Sequence, residues 1–392
     1  MPAKFSSDQI RTIATLSTAI AIRMLGIFLV LPIFTLYGEQ FTSSKPLIGL
    51  AFGSYGLTNA LLQIPFGWLS DRFGRKRLLL IGLTLHSVGS ILCAVPLNIF
   101  FLIIARLIQG AGAIGSVAFA LVADSVEEKN RATAMAFLGV AIGLSIVGGF
   151  LAGSPIASIA GYASLFWISG VLSLLAAVYL ALVVEEPARV RPDTEGAARR
   201  PTVASVFKIG DVFRLDVCGF LTYFFMTSFF FFFPLLARGY MPLERYPLLL
   251  VPGLLAGTVT MFAASRAADR GYARVAGVIA FVMLSISGLL LFRGADFGFQ
   301  AHPLLALTVA GVFLFSGFSS LQPILPSLIT KASPKTVYGA ALGTYSSLQF
   351  LGSFAGGAAA GILAPRGDQF VMAGLLVAAA LGVMLMAQVQ AG

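Results

Sequence analysis

Charged residues are scarce in this sequence of 392 residues, at 11% of the total. Soluble domains carry about 25% charged residues. Hydrophobic residues make up 58%, and the mean hydropathy is +0.93. A chain with so few charges cannot cover a water-facing surface with polar groups, so the composition excludes a soluble protein and indicates a membrane protein. The apolar runs are continuous rather than alternating, which excludes a transmembrane β-barrel.

Cysteine and histidine are also rare, with two of each. Cys93 and Cys218 fall in separate apolar runs, without the spacing of a disulfide framework or a metal site. His86 and His302 fall on separate predicted elements, and no carboxylate lies in the middle of a predicted span. Because catalysis needs such groups side by side, we expect no enzyme activity, no metal and no cofactor.

Twelve apolar stretches are long enough, at about 20 residues each, to cross a membrane as helices. The sequence therefore predicts an all-α membrane protein with twelve transmembrane helices, the first over about 13–37 and the fourth over 100–123. The predicted centres lie near Gly26, Thr58, Val88, Gly112, Ser145, Ser173, Phe225, Ala256, Leu284, Leu314, Phe350 and Ala380.

One long polar stretch, 185–211, divides the chain. It predicts a cytoplasmic linker between six-helix bundles at 1–184 and 212–392. The halves echo each other faintly, since Ala-Asp-Arg-Gly at 268–271 takes the place of Ser-Asp-Arg at 70–72. Two pseudo-symmetric halves of parallel topology form a substrate site at their interface near mid-membrane.

The net charge of +10 is a topology signal. If the N-terminus is cytoplasmic, the inner segments hold nineteen of the 26 lysines and arginines and the outer loops hold five. Lysine and arginine resist translocation, so this bias predicts that both termini are cytoplasmic. It also removes the reason to expect a nucleic-acid partner.

The densest charge cluster is Gly-Trp-Leu-Ser-Asp-Arg-Phe-Gly-Arg-Lys-Arg at 67–77, between the second and third spans. A connection this short joins antiparallel helices, with Gly74 free to adopt a positive φ. Asp71 stands where it can contact helix ends and neighbouring cations such as Arg75. The alternative is a basic loop that only sets topology.

Two cations fall inside spans. Arg23 lies roughly 18 Å into the first span, and Arg106 lies roughly 19 Å from the cytoplasmic side in the fourth. An arginine there costs about 2.5 kcal/mol or more, so each should face water or polar partners. They could hold an anionic substrate group or favour the charged form of a nearby acid. Alternatively, each hydrogen-bonds helix carbonyls or a neighbouring glutamine.

Other polar side chains inside the spans could line a cavity or pair between helices. His86 could titrate near neutrality, or serve as a packing residue. The run Phe229–Phe233 is predicted to be lipid-facing and packing surface rather than a pocket, since five consecutive residues point all round a helix. The candidate cavity residues are Asn59, Gln63, Gln109, Tyr223, Gln322, Tyr345 and Gln349.

The hairpin pattern Gly-x-Leu-x-Asp-Arg-x-Gly-Arg-Lys resembles the signature loop of the major facilitator superfamily. Arg106-x-x-Gln109-Gly110 is similar to that family's fourth-helix motif, which is associated with proton coupling. Met-Leu-Gly-Ile-Phe-Leu-Val-Leu-Pro at 24–32 is similar to the first-helix motif of its drug:proton antiporter branch. The fifth-helix antiporter motif departs, because Leu144-Ser145 stand where Gly-Pro is expected.

The resemblance implies alternating access and export driven by the proton gradient. It also implies a latch of Asp71, Gly74, Arg75 and Asp124 that meets the eleventh helix near Tyr338. We therefore expect proton-coupled efflux of small amphipathic compounds by a monomer in the bacterial inner membrane. The alternatives are an organic-anion carrier that uses Arg23 and Arg106, and a non-transporting scaffold or sensor.

Overall fold

The computed structural model describes residues 6–126, 130–184, 206, 209–293, 302–334 and 337–390. This part of the chain forms fourteen α-helices, with short 3-10 turns at Leu243–Arg245 and Ala364–Arg366. In chain order the helices are α1 (Ser7–Val30), α2 (Phe34–Glu39), α3 (Lys45–Phe73), α4 (Arg75–Ala94), α5 (Ile99–Ala111), α6 (Gly115–Ser125), α7 (Arg131–Ala160), α8 (Ala163–Val183), α9 (Gly210–Ala237), α10 (Tyr246–Asp269), α11 (Ala273–Arg293), α12 (Pro303–Ala332), α13 (Tyr338–Leu363) and α14 (Asp368–Ala387).

Twelve segments of the described chain are long and apolar enough to cross a membrane, which confirms the predicted number of spans. Two predicted spans are not continuous helices. The first is interrupted at Pro32, between α1 and α2, where the proline lacks a backbone N–H and its ring crowds the preceding turn. The fourth, predicted as one helix over 100–123, is interrupted at Gly112, between α5 and α6.

Close packing divides the chain into two compact units. The first unit holds the described parts of Met1–Leu31 and Thr58–Arg200, and the second those of Pro32–Leu57 and Pro201–Gly392. The start of α3 is therefore grouped with the later half of the sequence. The predicted linker at 185–211, apart from Val206 and 209–211, lies outside the described residues. The predicted division at that linker stays a prediction.

In the first unit, α1 packs along α7 and α8, and α4 packs along α5 and α8. Glycines allow the closest approaches. A Cβ atom added at Gly153 would lie 2.1 Å from the carbonyl oxygen of Leu29, and one at Gly89 would lie 2.2 Å from the backbone nitrogen of Gln109. Small residues let helix backbones meet in this way. The contact at Gly89 holds Gln109 against α4.

In the second unit, α9 packs along α13, and α12 packs along α10 and α11. The run Phe229–Phe233 of α9 is buried, with each side chain between 0 and 5% exposed. Its rings contact Tyr246 on α10, Phe292 on α11 and Phe315 on α12. The lipid-facing part of the prediction is therefore wrong, because neighbouring helices cover these rings, and the part that assigned the run to packing is confirmed.

The segment 32–57 packs within the second unit. The ring of Phe34 on α2 stacks on that of Phe52 on α3, with centroids 5.1 Å apart. Glu39, the last residue of α2, forms ion pairs with Lys45 at the start of α3 and with Arg238 after α9. Apolar stacking and paired charges therefore both tie this segment to its unit.

Candidate functional site

The charged hairpin joins α3 to α4 through the single residue Gly74. Its φ of 104° lies in the left-handed region that favours glycine, as the sequence predicts. Arg75 Nη1 lies 3.0 Å from Asp71 Oδ1 and 3.1 Å from the hydroxyl of Ser70. Arg75 Nε also pairs with the carboxylate of Asp124 near the end of α6. One guanidinium group therefore links α3, α4 and α6.

A hydrogen-bonded chain starts from Arg106 on α5. Arg106 is 5% exposed, and its Nη1 donates to Gln109 Oε1 at 2.6 Å. Gln109 Nε2 donates to the hydroxyl of Ser90 on α4 at 2.8 Å, and Ser90 donates to the carbonyl of His86 at 2.7 Å. The chain carries the polar contacts of a buried arginine into the middle of the neighbouring span. The hydrogen bond from Arg106 to Gln109 is also the one expected if the arginine serves only in packing.

His86 lies against α1, the helix that carries Arg23, since a Cβ atom added at Gly26 would be 3.6 Å from His86 Nε2. The imidazole is fully buried, and its Nε2 lies 3.3 Å from the hydroxyl of Ser169 on α8. Arg23 on α1, which is 1% exposed, and Arg106 both act electrostatically on the imidazole. Two arginines and a histidine from three helices therefore share one buried region of the first unit.

The break in the fourth span lies directly after this cluster. The amide of Ile114 donates to the carbonyl of Gly112 at 2.9 Å, so it does not reach the carbonyl of Gly110. Asn59 Nδ2 donates to that carbonyl instead, at 3.3 Å. Gln63 lies one turn further along α3, where its Nε2 would be 3.3 Å from a Cβ atom on Gly115. The structure thus places both α3 residues beside the break.

This arrangement is cationic. Positive charge buried in a span can hold an anionic group, or favour the ionised form of an acid that comes near. Among the described residues, no group of three or more His, Cys, Asp or Glu side chains is placed to hold a metal ion.

The family model described as Major Facilitator Superfamily matches residues 16–357, which is most of the chain. This chain belongs to the Major Facilitator Superfamily. It is also similar to the inner membrane transport protein YajR of Escherichia coli (strain K12). The two are 32% identical over 382 residues, which cover 96% of this chain and 83% of YajR.

Two further likenesses agree with that family. The class B tetracycline resistance protein of Escherichia coli is 28% identical over 194 residues, covering 48% of this chain and 47% of that protein. The crystal structure of a bacterial homologue of the human lysosomal transporter Spinster superposes with a TM-score of 0.69 at 14% identity, covering 98% and 95% of the two chains. The family consists of membrane transporters, and YajR is a transport protein, so this major facilitator is a multi-pass membrane transporter and not an enzyme.

Four predicted cavity residues of this major facilitator come together in its second unit. The ring of Tyr223 on α9 lies 5.4 Å, centroid to centroid, from that of Phe318 on α12, one turn before Gln322 on the same helix. Tyr345 and Gln349 on α13 pack against Gly219 on α9, where an added Cβ atom would lie 2.5 Å from the Tyr345 ring and 3.4 Å from Gln349. The four side chains therefore lie where α9, α12 and α13 meet.

The sequence pattern does not single out Asp216, which belongs to the same region. Asp216 lies six residues after the start of α9 and is fully buried. A sequence signal exists, since this acid is the charged residue of the first two turns of α9 that stands furthest into the apolar run, beyond Asp211 and Arg214. The hydropathy pattern places Asp216 near the inner end of the span, but the pattern does not show whether neighbouring helices cover this side chain.

Proposed function

We propose that this protein exports small amphipathic compounds in exchange for protons, by alternating access. The observation that carries the proposal is the buried chain from Arg106 through Gln109 to Ser90, beside Arg23 and His86. Each arginine costs about 2.5 kcal/mol or more in the membrane core, which favours a functional role over packing alone. The likeness to a tetracycline resistance protein supports an efflux role.

The hairpin supplies the conformational control in this proposal. Asp71, Gly74, Arg75 and Asp124 act as a latch on the cytoplasmic side. The ion pairs of Arg75 with Asp71 and Asp124 support this role. A network of partly exposed charges is worth only about 0–1 kcal/mol per pair, a strength that suits a contact made and broken in each cycle.

The proposed setting is the bacterial inner membrane, where the protein works as a monomer with both termini cytoplasmic. The charge bias of the loops and the likeness to YajR, an inner membrane protein, support this setting.

Proteoliposomes test the proposal. Purified protein is reconstituted with a pH-sensitive dye inside, and ethidium or tetracycline is added. We expect the compound to move together with an opposite flow of protons, and a protonophore to abolish the coupling. Arg106→Gln should remove the proton flow. If neither compound moves protons in the wild-type protein, the export proposal fails.

An organic-anion carrier is the second candidate, and the burial of both Arg23 and Arg106 in the first unit favours it. A pair of buried cations in one region can hold a carboxylate or sulfonate group. Uptake of p-aminohippurate into proteoliposomes tests this candidate. Arg23→Glu should abolish uptake, while Arg11→Glu, an exposed position on the same helix, should not. Unchanged uptake in Arg23→Glu rules the candidate out.

A scaffold or sensor remains as the alternative outcome of both assays. That role would require the purified protein to move neither compound class nor protons, while it still folds and inserts.

A further inference from the structure

Asp216 on α9 is a buried acid without a hydrogen bond. Its side chain is fully buried, and neither carboxylate oxygen has a hydrogen-bond partner among the described residues. Asp211, five residues earlier on the same helix, shows the usual arrangement for an acid: its Oδ1 lies 2.7 Å from Arg214 Nη1. Of these two acids of α9, Asp211 is paired with a cation and Asp216 has no hydrogen-bond partner among the described residues.

Thr344 on α13 is the nearest group that could satisfy Asp216. The two side chains interact, but the hydroxyl of Thr344 donates to the carbonyl of Ala341, 2.9 Å away on its own helix. A hydroxyl has one proton to donate, so it cannot serve the carboxylate at the same time. With the hydroxyl turned to Ala341, Asp216 lacks a donor.

Neither oxygen of Asp216 has a hydrogen-bonding cation among the described residues, and Arg214, the nearest cation along its own helix, pairs with Asp211. Tyr345 on α13, which packs against Gly219 on α9, is a phenol rather than a cation. The helices α2, α11, α12 and α14, which also pack against α9, carry their charged side chains within two residues of their ends. Those charged residues are Glu39, Arg274, Arg293, Lys331 and Asp368.

Burying an ionised carboxylate without a partner costs several kcal/mol, whereas the neutral acid has no charge to desolvate. The arrangement around Asp216 therefore fits the protonated acid. The ionised form would require the Thr344 hydroxyl to leave Ala341, or water to enter between α9 and α13. Protonation and the packing of these two helices are linked in this way.

We propose that Asp216 binds and releases a proton during the transport cycle, as a coupling site in the second unit. The proposal rests on the proton coupling proposed above. On uptake, a proton from water forms an O–H bond with a carboxylate oxygen of Asp216. On release, that bond breaks and the proton returns to water on the other side of the membrane. Tyr345, one residue from Thr344, transmits the change to the polar cluster with Tyr223 and Gln349.

Infrared titration of the purified protein tests the site without a transported compound. We expect a carboxylic-acid carbonyl band at neutral pH that shifts when aspartate is labelled with carbon-13. The band should be absent in Asp216→Asn and present in the matched control Asp211→Asn. If Asp216→Asn fails to fold, the labelled wild-type protein and the Asp216→Glu variant still test the assignment. Glutamate keeps a carboxylic acid at position 216, but its carbonyl band does not shift when only aspartate is labelled.

A band that survives in Asp216→Asn, or a wild-type protein without an aspartic-acid band, overturns the proposal. The dye assay separates this failure from that of the proposed function. If the wild type couples ethidium or tetracycline to protons and Asp216→Asn does so equally well, export stands and the role of Asp216 falls. If the wild type moves no protons, the export function and the coupling role of Asp216 both fall, and the titration shows only whether Asp216 binds a proton.

Discussion

Gly49 on α3 and Gly357 on α13 lie backbone against backbone. A Cβ atom on Gly49 would come within 2.3 Å of the carbonyl oxygen of Gly357. The contact repeats along α3, because a Cβ atom on Gly53 or on Gly56 would lie 2.5 Å from a carbonyl oxygen of α13. Glycines spaced by four and three residues share one helix face, so the start of α3 presents a smooth strip to α13.

Gly49→Ala tests this strip. The added methyl group meets backbone, which cannot rotate away, so we expect a loss of about 1–3 kcal/mol in unfolding free energy. Gly139→Ala on α7 is the matched control, because nothing lies within 4 Å of its added Cβ atom. Alanine favours helix over glycine by up to about 1 kcal/mol, so the control should be neutral or stabilising. Equal thermal unfolding of the two variants in detergent would contradict the close contact.

Ser90→Ala tests the chain from Arg106. Removing the hydroxyl leaves the amide nitrogen of Gln109 without its acceptor, which costs about 1–3 kcal/mol. We expect proton-coupled ethidium or tetracycline transport to fall roughly fivefold or more, as about 1 kcal/mol implies. Ser87→Ala on the same helix is the control, because Ser87 bonds the carbonyl of Gly170 at 2.8 Å, outside the chain. Equal transport rates in the two variants would remove the chain from the mechanism.

Gly26→Ala tests how α1 is held against His86. The added Cβ atom would lie 2.0 Å from the hydroxyl oxygen of Ser169, which contacts His86. We expect lower thermal stability and lower transport, and partial rescue by Ser169→Gly, which removes the atoms that clash. Such a rescue is a coupling between neighbours, measured by a double-mutant cycle. Additive losses in the double variant would show that the two residues do not meet.

Asp71→Asn tests the latch. Removing one ion pair of Arg75 should shift the conformer populations inward by about two- to fivefold, since such pairs are worth about 0.5–1 kcal/mol. Spin labels on Arg77→Cys and Arg270→Cys report the distance populations, because Cys93 and Cys218 are buried.

Arg72→Gln is the control for the latch. It removes a charge from the same hairpin at a side chain that lies over the rings of Trp68 and Phe73. The control should leave the distance populations as they are. If Asp71→Asn leaves them unchanged as well, the charge network is not a latch.

The parts of the fold that follow from local sequence were predictable. The spans follow from hydropathy over about 20 residues, and the turn at Gly74 follows from a short connection that needs a positive φ. The break at Gly112 was not predictable from local sequence, because it involves Asn59 of another helix, whose amide donates a hydrogen bond to the carbonyl of Gly110. The burial of Phe229–Phe233 likewise depends on which helices surround α9.

The sequence by itself determined that the chain spans a membrane twelve times, that it belongs with the major facilitators, and that Arg23 and Arg106 lie deep in their spans. These features depend on residue type and on spacing within one segment. Only the tertiary structure decided that Arg106 reaches Ser90 through Gln109, that Gly49 touches Gly357, and that Asp216 is covered. Each of these depends on which helices become neighbours, and the energy of a buried polar group is set by those neighbours.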